Sequence, residues 1–90
     1  MKYVYVLISK KDLSLYIGTC SDIKKRTARH DAGYVRSTKN RRPLKLIYYE
    51  CYISNLDATK REKFLKGGKG HDELKIQLRN TFNREKYKYP

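Results

Sequence analysis

The chain has 90 residues, enough for one small hydrophobic core and too few for a second domain. Apolar residues make up 39% and charged residues 34%, which excludes a large apolar cavity and with it a bulky apolar cofactor. Lys and Arg number 22 against 9 Asp and Glu, and the resulting net charge of +13 repels itself on so small a surface unless an anionic partner neutralises it, nucleic acid first.

Lys2 to Ile8 alternates, with Tyr3, Tyr5 and Leu7 on one face and Val4, Val6 and Ile8 on the other, so a first strand is expected there. After a polar loop, Leu15, Tyr16 and Ile17 resume the pattern and Gly18 is expected to stop it, making a hairpin. Ser21 and Asp22 form an N-cap signal for a helix of about eleven residues ending before Gly33, on which Arg26 and His30 stand one turn apart. Residues 32 to 43 read as a basic loop. Leu44 to Ile53 is a third strand, with Leu46, Tyr48, Glu50 and Tyr52 placed opposite Ile47, Tyr49 and Cys51.

Ser54 with Asp57 three positions on opens a second helix, Asn55 to Lys66, which Gly67 and Gly68 are expected to end. Ala58, Glu62 and Leu65 share one face of it, placing a carboxylate on the stripe that faces the core. A last helix is expected over His71 to Phe82. The reading is therefore an α+β fold, a small three-stranded and at least partly antiparallel sheet flanked by helices in the order β-β-α-β-α-α. The domain spans residues 1 to 82, and 83 to 90 form a basic, flexible tail.

No stretch reaches the ~18 apolar residues of a membrane helix, and Lys10 and Lys11 lie where a signal peptide would not carry them, so a cytoplasmic protein without a membrane partner is expected. Cys20 and Cys51 are not arranged as CxxC, and together with His30 and His71 they lack zinc-site spacing. The loop with Arg36, Lys39, Arg41 and Arg42, extended by Lys24, Lys25 and Arg29, has the composition of a phosphate-contacting surface. Tyr3, Tyr34, Tyr48, Tyr49 and Tyr52 read as packing residues.

Tyr3-Val4-Tyr5, Tyr16-Ile17-Gly18, Arg26, His30 and Glu62, with the run Ser37-Thr38-Lys39-Asn40-Arg41-Arg42-Pro43, together resemble a GIY-YIG nuclease domain. The similarity is to its short stand-alone bacterial type, which is similar in turn to the N-terminal nuclease module of the nucleotide-excision nuclease. The first motif reads Tyr-Val-Tyr where the family has Gly-Ile-Tyr, and Thr19 stands where nuclease members often carry a lysine. The resemblance implies a metal-dependent endonuclease acting on DNA phosphodiesters in repair or processing, with RNA and a homodimer left open and no small-molecule cofactor.

It also implies roles. Glu62 would be the ligand of Mg²⁺ or Mn²⁺, Arg26 the transition-state clamp, Tyr5 the general base, and Tyr16 and His30 positioning or relay groups. Gly18 would let backbone pass close to the site and Asn80 would support it. A free phenol near pKa ~10 is a poor base at neutral pH, so this reading expects the metal and Arg26 to lower the Tyr5 pKa. The alternative is a nucleic-acid-binding module that keeps the fold without the chemistry.

Overall fold

The computed structural model describes residues 1–87. Three strands, β1 (Lys2–Ser9), β2 (Leu15–Cys20) and β3 (Leu44–Tyr52), form one sheet in the order β2-β1-β3, with both pairs antiparallel. Helix α1 (Ile23–Asp31) lies between β2 and β3 in sequence, and α2 (Asn55–Lys66), α3 (Gly68–Gln77) and α4 (Arg79–Arg84) follow β3. The expected element order holds, except that the last helix is two.

β1 is central and buried on both faces, as its unbroken run of β-branched and aromatic residues requires. On one face Val4, Val6 and Ile17 pack with Ala58, Leu65, Leu74, Leu78 and Phe82 from α2, α3 and α4. On the other, Tyr5, Leu7 and Cys20 pack with Ile23, Leu44 and Leu46 beside α1. Burying each large apolar side chain contributes about 1.5–3 kcal/mol, so the helices are held mainly by this two-sided cover.

Several boundaries differ from the sequence reading. β2 does not stop at Gly18, because that residue sits opposite Tyr5 in the ladder and the strand continues to Cys20. A register shift between Val6 and Leu7 puts Leu46 opposite Leu7 and Tyr48 opposite Val6, so Ile47 is an extra residue. That bulge moves Leu46 to the α1 side, away from Tyr48, Glu50 and Tyr52. The basic loop contains a 3-10 turn, Lys39–Arg41. α3 begins at Gly68 and includes Gly70, which is buried against the backbone of Phe64 and Leu65; the helix then breaks at Leu78 (φ −109°, ψ 24°).

Residues 83–87 are docked where a flexible tail was expected. Tyr87 packs on Phe82 with ring centroids 4.7 Å apart, and Glu85, 6% exposed, accepts from Lys10 Nζ and Lys45 Nζ at 2.8 Å each. The rest of the expected tail, 88–90, lies outside the described residues. The two ammonium groups hold the Glu85 carboxyl down at about 2, against an ordinary 4.5. A folded-state pKa below the unfolded one means stability present above pH 4.5 and lost as pH falls toward 2, because only the unfolded chain takes up the proton in that window. Glu85→Gln is accordingly expected to lower stability at pH 7 and to flatten its fall between pH 4.5 and 2, read by urea titrations at several pH values. An unchanged acid slope would show that the pair contributes nothing.

A second polar knot fastens β3 to the helices. Glu50 shares a strand face with Tyr48 and Tyr52 and accepts from their hydroxyls at 2.5 and 2.6 Å and from Arg61 Nε at 2.9 Å; Arg61 also reaches Glu73 at 2.8 Å. Burial pushes the Glu50 pKa up, but Arg61 and the two tyrosines outweigh it and hold the group below its ordinary value. Each polar partner is therefore satisfied, and α2 is pinned through the residue adjacent to Glu62.

Candidate active site

The α1 side of the sheet carries Tyr5 on β1 and Tyr16 and Gly18 on β2. Tyr5 faces Gly18 directly and Tyr16 lies diagonally, with the two phenol rings 6.2 Å apart. A Cβ at Gly18 would lie 2.7 Å from the Tyr5 hydroxyl oxygen and 2.9 Å from Cζ. Glycine is required there so that the Tyr5 ring can lie flat across the neighbouring strand.

α1 delivers the next residues. Asp22 caps its start by accepting from the Lys25 N–H at 3.0 Å. Its end is a Schellman cap: Gly33 takes φ +82°, its N–H donates to His30 O at 3.1 Å, and the Tyr34 N–H donates to Arg29 O at 3.0 Å. The cap holds His30 in the last turn, fully buried, with its ring against both phenols at centroid distances of 5.7 Å to Tyr5 and 5.1 Å to Tyr16. His30 Nε2 is hydrogen-bonded to the Tyr5 hydroxyl at 2.9 Å and Nδ1 to Thr38 Oγ1 at 2.7 Å.

Thr38 was missed as a site residue in the sequence reading, although it lies in the quoted run 37–43 as an uncharged hydroxyl among cations. It is fully buried, and its hydroxyl donates to Val35 O at 3.4 Å. Because Val35 O is available for its proton, Thr38 Oγ1 can accept from His30 Nδ1–H, and in that tautomer Nε2 is the acceptor for the Tyr5 O–H. The result is a directional chain, Tyr5 to His30 to Thr38.

Of the two groups expected to lower the Tyr5 pKa, Arg26 does so, but within the chain alone burial outweighs it. Burial pushes the Tyr5 pKa well above its ordinary 10.0, the adjacent Tyr16 adds to the rise, and Arg26 pulls it back only in part. The chain's own environment therefore holds Tyr5 as a phenol at neutral pH. Burial and then the Arg26 charge lower the His30 pKa below 6.5, which keeps the imidazole neutral, with one ring nitrogen able to accept.

Arg26 is half-buried, and its guanidinium makes no hydrogen bond or ion pair with the described residues. With Lys25, Arg29, Cys20, Ser21 and Asp22 it lines a cavity of about 140 Å³. An unpaired cation beside a hollow of that size fits a phosphate.

The other candidates are dispersed. Glu62 lies on α2 between the fully buried Ala58 and Leu65, but its side chain is 21% exposed and pairs with Lys66 Nζ at 3.1 Å, not with Arg26. It sits at the margin of the apolar stripe instead of within it. An (i, i+4) surface pair of this kind is worth ~0.3–0.5 kcal/mol, so the carboxylate exchanges partners at little cost. Asn80 is exposed on α4 and makes no side-chain hydrogen bond with the described residues.

Among the expected nucleic-acid contacts, Lys24, Lys25, Arg29, Arg36 and Lys39 are exposed. Arg41 is a fastener: its guanidinium donates to Ser14 Oγ at 2.5 and 3.0 Å and to Leu15 O at 2.8 Å, tying the loop to the β1–β2 hairpin. Arg42 packs over Gly33 and donates to Lys39 O at 2.9 Å. Thr19 pairs with Val4 in the ladder, so its side chain is on the α2 side of the sheet and not beside Tyr16.

No cluster of three or more His, Cys, Asp and Glu that could hold a metal by itself exists among the described residues. The donor set nevertheless fits Mg²⁺ or Mn²⁺. Such ions are commonly anchored by one or two carboxylates with water and substrate phosphate completing the shell, and Glu62 is a hard oxygen donor of that kind. Among the described residues, no helix is long and apolar enough to cross a membrane.

The GIY-YIG catalytic domain family matches residues 1–75. A UPF0213 protein of Staphylococcus saprophyticus is 39% identical over 75 residues, covering 82% of this chain and 90% of that protein. Another, from Clostridium perfringens, is 33% identical over 88 residues, covering 97% and 94% respectively. The solution NMR structure of a UPF0213 protein from Bacillus halodurans superposes with a TM-score of 0.52 at 30% identity, covering 87% of this chain and 85% of that one. The chain thus belongs to the GIY-YIG family, a nuclease-type superfamily, and its relatives along most of their length are short UPF0213 proteins.

Proposed function

We propose that the protein is a divalent-metal-dependent endonuclease that hydrolyses DNA phosphodiester bonds in DNA repair or processing. The observation that carries this reading is the Arg26 guanidinium, unpaired among the described residues, whose charge acts on both Tyr5 and His30 of the Tyr5–His30–Thr38 chain. Phosphodiester hydrolysis needs a fixed cation for the growing negative charge and a path for the proton leaving the attacking water, and these residues supply both.

Glu62 would hold Mg²⁺ or Mn²⁺, which when bound polarises the phosphate. The remaining steps belong to the chain itself. Arg26 takes a phosphate oxygen into its planar fork and stays charged throughout. Held as a phenol by the chain's own environment, Tyr5 accepts the water's proton, directly or through the part-exposed Tyr16, as it passes its own proton to His30 Nε2. The imidazolium that forms keeps its Nδ1–H on Thr38. Tyr5 acts in this account as the inner member of a relay and His30 as the proton's destination.

The test is conversion of supercoiled plasmid to nicked circle with Mg²⁺, Mn²⁺ or chelator, comparing the parent protein with Glu62→Ala prepared in parallel. Metal-dependent nicking by the parent, reduced to background in the variant while DNA binding is kept, is expected. Because His30 must be unprotonated, the acid limb of the nicking rate should lie below the ordinary histidine value of 6.5. If plasmid, branched DNA and single strands are all bound in a salt-dependent way and none is cut, the protein is the binding module instead.

A further inference from the structure

Tyr34, read from sequence as a packing residue, is 73% exposed. It is nonetheless held in place, since its N–H makes the outer bond of the α1 cap and the Arg29 guanidinium carbon lies 5.7 Å from its ring centroid. An exposed aromatic ring, rooted in a fixed backbone and backed by a cation, contributes little to the core. Arg29 also lines, with Lys25 and Arg26, the 140 Å³ hollow, while the Asp22 carboxylate there is turned to the Lys25 N–H. Arg29 therefore adjoins both a phosphate-sized basic hollow and an open aromatic plate.

Phosphate next to base is what a nucleotide presents. A base inside a duplex has its faces covered by its neighbours, whereas an unpaired base offers them to aromatic side chains and Arg planes. We infer that Tyr34 is the stacking platform for an unpaired nucleobase next to the phosphate bound at Arg26. The preferred substrate is then a nucleic acid with a single-stranded segment at the cut, a flap, a fork or a free strand in place of intact duplex. The term "cut" rests on the nuclease reading above; the platform itself does not.

Binding is measured by fluorescence anisotropy in chelator, so that no cleavage is needed, with three labelled probes of equal phosphate number: a single strand, a duplex and a strand of abasic residues. Tyr34→Ala should weaken the base-bearing single strand by about tenfold, the scale of one lost stack, and leave the duplex and abasic probes unchanged. Tyr34→Phe should bind as the parent does. The chain contains no Trp, so Tyr34→Trp gives a single reporter whose emission should be quenched by the base-bearing strand and not by the abasic one. Equal losses on all three probes would overturn the platform, showing that the ring merely orients Arg29, and so would the absence of any loss. If the parent nicks nothing while the Tyr34-dependent preference is present, the nuclease reading fails and the platform stands. Cutting that ignores Tyr34 has the opposite meaning.

Discussion

Replacing His30 with alanine is expected to lower stability by about 3–4 kcal/mol and to reduce nicking ~10²–10⁴-fold. The stability loss has two parts. A fully buried ring is removed, leaving a cavity between β1, β2 and α1, and the Tyr5 and Thr38 hydroxyls, both buried, lose the partners they hold at 2.9 and 2.7 Å. Thr38 keeps its bond to Val35, so the heavier cost falls on Tyr5. For a domain whose whole stability is of order 5–15 kcal/mol this is a large fraction.

His30→Gln separates the two effects. A carboxamide restores a donor and an acceptor to the cavity but cannot take a proton, so much of the stability should return while activity does not. The pH dependence gives an independent readout. The folded-state pKa of His30 is lowered, so stability is fully present above the unfolded value of 6.5 and declines as pH falls below it, where only the unfolded chain binds the proton. Urea titrations between pH 7 and the Glu85 window should show that decline in the parent protein and not in His30→Gln. If His30→Gln nicks at the parental rate, proton transfer to His30 is not part of the reaction.

The same residues show why the sequence was readable in some places and silent in others. α2 runs from Asn55 to Lys66 under a Ser54 cap as read, because the cap and the terminating glycine both mark its ends locally. The ends of β3 were legible too, but not its bulge, since nothing local to Leu46-Ile47-Tyr48 records that β1 opposes two residues with one. Gly18 misled for a related reason. Read locally, a glycine ends a strand, whereas here it makes room for a tyrosine on the next strand.

The convergence of Tyr5, Tyr16 and His30 followed from the motif spacing once the family resemblance was in hand. The third member of the chain, Thr38, did not, because it reaches His30 only through the path of the loop after Gly33. Arg41 looked like one more surface cation and proved a fastener, and Tyr34 looked like core and proved exposed. Composition identifies residue types, but the direction in which a loop side chain points is set by tertiary contacts.

Gly70→Ala tests that distinction with the sign of its effect. Judged by helix propensity alone, alanine in place of glycine inside α3 should stabilise by ~1 kcal/mol. The packing of α3 on α2 requires the reverse. A Cβ at Gly70 would lie 2.0 Å from Phe64 O and 2.5 Å from Leu65 Cα, and both are backbone atoms that cannot swing aside as a side chain could. α3 would have to move away from the end of α2, giving up contact among Leu65, Leu74 and Leu78 in the larger core. A net loss of about 3 kcal/mol is expected, which for a domain of this size lowers Tm by roughly 15 °C. Nicking should fall as well, because Glu62 and Arg61 lie in the same last turns of α2 and the Arg61–Glu73 bond of 2.8 Å joins the two helices that must separate. A Tm equal to or above that of the parent protein would mean that α2 and α3 do not meet at Gly70, and the placement of Glu62 relative to the sheet would have to be reconsidered.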